Sequence, residues 1–325
     1  MVELTAVAPL LETKTLAEVG AQELRALIRE EGAHWGAELL WDFAEVESAV
    51  LSGLEAGSVH GFLARAQDQP VGYGYYLTEG GRVVVGSLFA TRSRRGLGLE
   101  ERLLGLILGD VLMRAPLRRV ECQTLFASSP RVDAVFAAAG FRSAPRHYLT
   151  RVTAEPVPAV SCPFRLRPVR RDDLGTVAEL VHRSHEGSVD AALNQTYATA
   201  ANCRHFVETL VVRDGCGRFD PDASGIAEGP GGPLGVLLAS RLSAANGHIC
   251  QVSVEPEVQG RSAGKALLQR ALLAFQRAGL AAASLSVTVA NEPAYGLYRR
   301  WGFTLRKAFA AHAWVPPNEG AARPS

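Results

Sequence analysis

The chain has only five cysteines in 325 residues, and none of them forms a CxxC pair. An odd count without paired spacing argues against a disulfide framework and fits a reducing compartment, the cytoplasm. Cys122 and Cys250 lie in apolar, strand-like runs, where a thiol serves as a small core group. Charge of one sign is lacking too. The 34 Lys and Arg face 33 Asp and Glu, a net charge of +1, so nothing favours nucleic acid or another polyanion as partner. No apolar run approaches the roughly 18 residues of a membrane span. The N-terminus carries Glu3 and Glu12 where a signal peptide would have a basic region and an apolar core, so neither a membrane segment nor a leader is expected. Metal-ligating sets are scarce. His182-x-x-His185 has a tolerable spacing but no Cys or carboxylate set completes it, so it reads as two surface histidines and no metal is expected.

What remains is 47% hydrophobic and 21% charged, the composition of a soluble globular protein, and 325 residues suit two domains that each bury a core. The densest signal lies between Val252 and Phe303. A strand-like run, Val252 to Val254, leads into the turn Gln259-Gly260-Arg261-Ser262-Ala263-Gly264-Lys265. Ala266, Leu267, Leu268, Ala271, Leu272 and Phe275 then recur at helical spacing. Such a turn delivers the chain into a helix N-terminus, where free amides and the positive end of the macrodipole suit a pyrophosphate. Gly264-Lys265 evokes a P-loop, but the spacing from Gly260 is one residue short and Ala266 replaces the Mg²⁺-binding hydroxyl. A nucleotide hydrolase is thereby set aside.

Together with Asn291, Ala294, Tyr298, Gly302 and Phe303, the turn residues Gln259, Ser262 and Gly264 resemble the GCN5-related N-acetyltransferases, the GNAT family. One departure is Ser262, where that family prefers glycine; a serine at negative φ would still present its amide. The resemblance implies acetyl-CoA as acetyl donor. The backbone of Gln251 to Val254, with Val252 and Val254, would hold the pantetheine arm. Gly260 to Gly264 and Lys265 would hold the pyrophosphate, with a contact from Arg261. Tyr298 is the implied proton donor to the leaving thiolate, and it also stands among the cofactor contacts. Asn291 would contact the cofactor arm or cap the helix that follows it, Asn-Glu-Pro being a sound helix start in its own right. His248, eleven residues before Gln259, stands where some family members carry a glutamate base, the alternative base being water.

The unit occurs twice. Gly86 to Gly98 followed by Leu99 to Met113 repeats the turn and helix, and Val132 to Phe141 mirrors Pro293 to Phe303. Gly98 then pairs with Gly264 and Phe136 with Tyr298, a nearly constant shift of the kind a tandem duplication leaves. The fold expected is α/β, two tandem GNAT-like domains, each a mixed central sheet flanked by helices. The divisions expected are 1–153, a proline-rich linker 154–163, 164–315, and a disordered tail 316–325. A helix is expected over Thr15 to Glu31 and a surface loop over 213–232. The first domain keeps Gly96 and Gly98 but has Phe136 in place of Tyr298 and Arg82 opposite His248, which marks it as degenerate while leaving its CoA binding open. The acceptor implied is a primary amine of a small molecule. Between Glu186 and Asn202, a polar run with Asp190, Asn194, Gln195 and Tyr197 offers groups that could face it, the alternative for each one being a solvated helix–loop face. Tandem enzymes of this family with one degenerate half include mycothiol synthases, which brings a thiol precursor among the acceptors. A CoA-binding sensor or scaffold without catalysis is the alternative, and a homo-oligomer stays open.

Overall fold

The structure, a computed structural model, describes residues 11–114 and 116–316. The expected tail from 317 on lies outside them. In chain order the elements are β1 (Leu11–Thr15), α1 (Ala21–His34), α2 (Ala44–Glu55), β2 (His60–Ala66), β3 (Gln69–Glu79), β4 (Arg82–Ala90), α3 (Leu99–Leu112), β5 (Arg119–Gln123), α4 (Pro130–Ala138) and β6 (Arg142–Val152). They continue with β7 (Arg165–Arg167), α5 (Leu174–His185), α6 (Val189–Leu193), α7 (Ala200–Val212), β8 (Arg218–Phe219), β9 (Gly225–Gly229), β10 (Gly232–Arg241), β11 (Asn246–Val254), α8 (Ala263–Arg277), β12 (Ala282–Thr288), α9 (Glu292–Arg300) and β13 (Thr304–Trp314). Among the described residues no helix is long and apolar enough to cross a membrane.

The chain forms two compact units of mixed α/β architecture. The first takes Phe43–Ser143 together with the stretch up to Trp35 and the stretch from Phe309 onward; the second takes Gly36–Asp42 and Ala144–Ala308. In the first, strands run β1-β2-β3-β4-β5-β13, antiparallel except for the parallel pair β4–β5. In the second they run β7-β9-β10-β11-β12-β6, antiparallel except for the parallel pair β11–β12. The division therefore does not follow the expected boundaries: β6, the last strand of the first repeat, pairs with β12, while the end of β13 pairs with β5 through Ala311↔Gln123 to Trp314↔Val120. Residues 36–42 join the second unit through Tyr148 Oη donating to Leu39 O at 2.7 Å and Asp42 N donating to Leu242 O at 2.8 Å.

Each sheet is covered by helices whose apolar faces are spaced for it. Leu99, Leu103, Leu104, Ile107, Leu108 and Val111 of α3 are buried in the first unit, and Ala263, Leu267, Ala271, Leu272 and Phe275 of α8 in the second. On the other face of the second sheet, α5 and α7 pack on β10 through Val177, Val181, Val207, Val236 and Leu238. Two expectations are corrected. The helix expected from Thr15 begins later: Thr15 closes β1, its Oγ1 donating to the Glu18 carboxylate at 2.7 Å across a short helical turn of its own, and α1 begins only after Gly20. The stretch 213–232 is not a surface loop: it holds β8 and β9, with Asp220 buried and paired to Arg241 at 2.7 Å.

Candidate active site

The second sheet comes apart where the chemistry is expected. β11 pairs with β12 only over Asn246–Ile249 against Ala282–Leu285, while its pairing with β10 continues to Val254. From Cys250 on, the β11 edge toward β12 has no ladder partner among the described residues. The cause is a bulge: Leu238 faces Gln251 and Ala239 faces Ile249, which leaves Cys250 as an extra residue. Bulges bend a strand and raise its twist, so β11 turns away from its neighbour. The side chains of Val252 and Val254 pack toward the α8 core, so their polar contribution to the open edge is backbone N–H and C=O.

That edge runs into the turn. Gly260 and Ser262 both adopt left-handed backbone, φ +79° and +68°, and Ser262 is the N-cap of α8. The condition of negative φ at Ser262 is not met: two sharp reversals bring the strand into the helix start, and the serine takes a left-handed one. The amides of Gly260, Ser262, Ala263, Gly264 and Lys265 find no acceptor among the described residues. An open nest of N–H groups at a helix N-terminus fits an anionic phosphate group. Gln259 Nε2 donates to Val254 O at 3.3 Å and braces the turn. Arg261 lies over the Phe164 ring at 5.2 Å, on a cleft of about 510 Å³ shared with Arg165 and Glu228. Lys265 is exposed in the first turn of α8.

Tyr298 is buried in the α9 face, edge-on to Phe303 at 5.8 Å, and its hydroxyl has no hydrogen-bond partner among the described residues. Burial, and then the charge of Asp190, push the phenol up to about 12, so it stays protonated at any physiological pH. Asp190 accepts from Thr288 Oγ1 at 2.6 Å. Asn291 acts as the cap of α9, its side chain accepting from Ala294 N at 3.3 Å. Opposite, Tyr197 Oη donates to Gln251 Oε1 at 3.0 Å and stacks on His185 at 4.0 Å, with rings 4° from parallel. His185 Nδ1 bonds Val181 O at 2.8 Å, and His182 Nδ1 bonds Tyr197 O at 3.1 Å. The two histidines therefore belong to a polar wall, which corrects their reading as surface residues. Gln251, Thr288 and His185 were not singled out from sequence as acceptor-facing groups; alternation along β11 and β12 carries no sign of which polar residues converge.

His248 has a different setting. It is buried, its Nδ1 is 2.9 Å from Ser284 Oγ, and its ring lies 5.8 Å from Tyr148 and 5.9 Å from Trp41. Burial, then the nearby Arg146 charge, lower its pKa to about 4. An imidazole held that low is a weak base toward an ammonium. It also sits on the paired part of β11, before the strands part.

The first unit has a similar layout, with different residues at the turn and at the strand edge. Gly98 (φ +94°) caps α3 as Ser262 caps α8, and Gly96 (φ +72°) matches Gly260 at the same spacing along the chain. The expected pairing of Gly98 with Gly264 is thereby corrected: Gly264 corresponds to Glu100, and His248 to Val84 rather than Arg82. Glu100 is buried and folds back onto the turn, accepting from Gly96 N at 3.1 and 3.3 Å. Gly86 holds the bulge position of Cys250, with the Tyr75 ring packed where a Cβ would stand. Phe136, at the position of Tyr298, is fully buried and stacks on His312 at 3.8 Å. Where β4 and β5 part lies a small cavity of about 20 Å³, beside a Glu31 carboxylate that accepts from Tyr73, from Ser87 Oγ at 2.8 Å and from Trp35 Nε1 at 3.1 Å.

Residues 190–303 match the family model described as Acetyltransferase (GNAT) family. A mycothiol acetyltransferase of Beutenbergia cavernae is 38% identical over 102 residues, 30% of this chain and 34% of that protein. Another from Acidimicrobium ferrooxidans is 33% identical over 115 residues, 34% and 37% of the two chains. The chain thus spans about a third of the length of these curated relatives. Among solved structures, a GCN5-related N-acetyltransferase from Sphaerobacter thermophilus superposes with a TM-score of 0.65 at 20% identity, covering 94% of this chain and 95% of the other. A tandem GNAT protein from the clavulanic acid biosynthesis pathway gives 0.57 at 14% identity, covering 95% and 100%. These likenesses bear on the fold, and with the family match they support the GNAT acetyltransferase family.

Proposed function

We propose that this chain is an acetyl-CoA-dependent N-acetyltransferase that acylates a primary amine of a small molecule, with the reaction confined to its second unit. The observation that carries the reading is the open edge of β11 from Cys250 to Val254, continuous with the unpartnered amides around Gly260 to Lys265. One ligand with an extended amide-bearing arm and a pyrophosphate uses both. Acetyl-CoA brings the thioester, and its thiolate is the leaving group. Tyr298 supplies the proton that this thiolate takes up; a phenol near 12 is fully loaded at neutral pH, and its hydroxyl has no competing partner among the described residues. Asp190, oriented by Thr288, binds the acceptor ammonium and hands its proton on through water. His248 is not assigned the base role, since it is buried and held near 4. The polar wall of Tyr197, Gln251 and His185 favours an acceptor rich in hydroxyl or amide groups. Mycothiol acetyltransferases among the relatives agree with a small acceptor of this kind, used in the cytoplasm where acetyl-CoA is made available.

The first unit is read as a non-catalytic repeat, because Glu100 occupies its turn and Phe136 replaces the acid. The test is Tyr298→Phe. Loss of a positioned general acid lowers kcat by roughly 10²–10⁴-fold, while the binding of acetyl-CoA stays as it was. Unchanged turnover, measured with a panel of amines and as slow acetyl-CoA hydrolysis, removes Tyr298 from the mechanism. Failure of the protein to bind acetyl-CoA at all removes the enzyme and leaves no ligand role for the turn.

A further inference from the structure

Beside the open edge of β11, on side chains the proposed acyl transfer does not use, the chain draws two thiols and an imidazole together. Cys216 lies between α7 and β8, Cys250 is the bulged residue of β11, and His248 is two residues before it. One ligand atom from each lies within 4.8 Å of the other two. In a tetrahedral zinc site, with bonds of about 2.3 Å to sulfur and about 2.0–2.1 Å to nitrogen, donors stand roughly 3.4–3.8 Å apart. The trio therefore needs to contract by no more than about 1.4 Å to match that geometry. All three side chains are buried or half-buried.

The surroundings prepare the imidazole for this role. Ser284 Oγ lies 3.4 Å from Gly247 O and 2.9 Å from His248 Nδ1. With the hydroxyl proton given to the carbonyl, the serine accepts from Nδ1–H, which puts the free lone pair on Nε2. A hydrogen-bond partner that fixes the tautomer is a regular companion of histidine ligands. Ser240 Oγ, 3.4 Å from Cys250 Sγ, is a second hydroxyl at the same place. The first unit has none of this: its bulge residue is Gly86, and Val84 stands where His248 does.

We infer that Cys216, His248 and Cys250 form a zinc(II) site with three protein ligands and a fourth position for water. On binding, both thiols give their protons to solvent and two Zn–S bonds and one Zn–N bond form; no electron is exchanged. The ion would tie the α7–β8 connection to the β11 bulge and so stiffen the strand that opens the candidate acyl-donor site. This does not depend on the chain being an acetyltransferase.

The experiment uses the full chain, reduced and freed of metal, titrated with Zn²⁺ against a chromophoric chelator. One tightly bound equivalent is expected, with a rise in thermal midpoint. Co²⁺ in its place should give a thiolate charge-transfer band in the near ultraviolet and the strong visible bands of tetrahedral coordination, a readout on the unaltered chain. Cys216→Ser and Cys250→Ser should each weaken zinc by at least about 100-fold, and Ser284→Ala by roughly 10–100-fold. The inference is overturned by the absence of stoichiometric binding, by a cobalt spectrum without thiolate bands, or by binding that survives both cysteine changes.

Discussion

Gly264 and Glu100 occupy the same place in the two repeats, the second residue of the helix after the left-handed turn. Replacing Gly264 with Glu should transplant the plug of the first unit into the second. The fold tolerates it: Gly264 is helical, and a Cβ there meets only Val254 Cγ2, at 3.5 Å. In the first unit the plug is a charge-assisted bond from Gly96 N at 3.1 Å. Such a bond is worth about 1.5–3 kcal/mol, and a carboxylate at a helix N-terminus adds about 0.3–1 kcal/mol. An anionic ligand has to displace both, so acetyl-CoA binding should weaken by about 2–4 kcal/mol, roughly 30–1,000-fold at about 1.4 kcal/mol per decade. The empty protein should melt no lower than the parent, because its orphan amides gain a partner. Calorimetric titration with acetyl-CoA and a thermal melt measure the two quantities. Affinity within about threefold of the parent, in a protein that melts normally, would refute the assignment of these amides to the pyrophosphate.

Ser262→Gly should stabilise the second unit by about 0.5–1 kcal/mol, the left-handed cost of a non-glycine residue less the backbone entropy glycine adds. Urea unfolding followed by tryptophan fluorescence and far-ultraviolet circular dichroism reads it, and a lower midpoint would contradict the backbone assignment. His312 is buried, bonded to Ser143 Oγ at 2.7 Å, and held at about 4 by burial. Its folded value is below the unfolded 6.5, so the unfolded chain takes up the proton first and stability falls between pH 6.5 and 4. That loss approaches about 3 kcal/mol; His312→Asn should flatten the pH dependence over this window, as thermal melts at stepped pH would reveal. Tyr298 is raised from 10 to about 12, so it contributes fully below pH 10 and its contribution is lost as pH rises toward 12. Tyr298→Phe should abolish an alkaline loss of about 2–3 kcal/mol, measured as the difference between the two proteins; identical alkaline melts would place the phenol in solvent.

The repeat was legible because its punctuation is physical: glycines at reversals, caps before Pro130 and Pro293, and apolar periods in α3 and α8. The alignment slipped at the turn for the same reason. Gly264 looked like a turn glycine but lies inside the helix, and the left-handed residue is a serine, which composition does not advertise. Tyr298 and the turn were readable as neighbours in sequence. The setting of His248 was not, since it depends on residues 36–42 and on Tyr148. Nor was the trio with Cys216, because the bulge that turns Cys250 toward it arises only in the pairing with β10. Two other elements depend on pairings that composition does not carry: Thr15 closes β1 where a helix start is expected, and Asp220 is buried in an ion pair with Arg241 where a surface loop is expected.

The order of synthesis acquires a meaning from the exchanged last strands. By the time Ser143 has been made, every other strand of the first unit exists, yet β5 still lacks the neighbour that arrives with Phe309–Trp314. Until the whole second repeat has been made, the nascent chain carries an open strand edge beside a core that still lacks Phe309 to Trp314. The second repeat meanwhile takes β6 as soon as β12 emerges. Completion of the first unit thereby waits on the last strand of the chain, so a stop after Ala308 removes residues of the first unit and leaves those of the second in place.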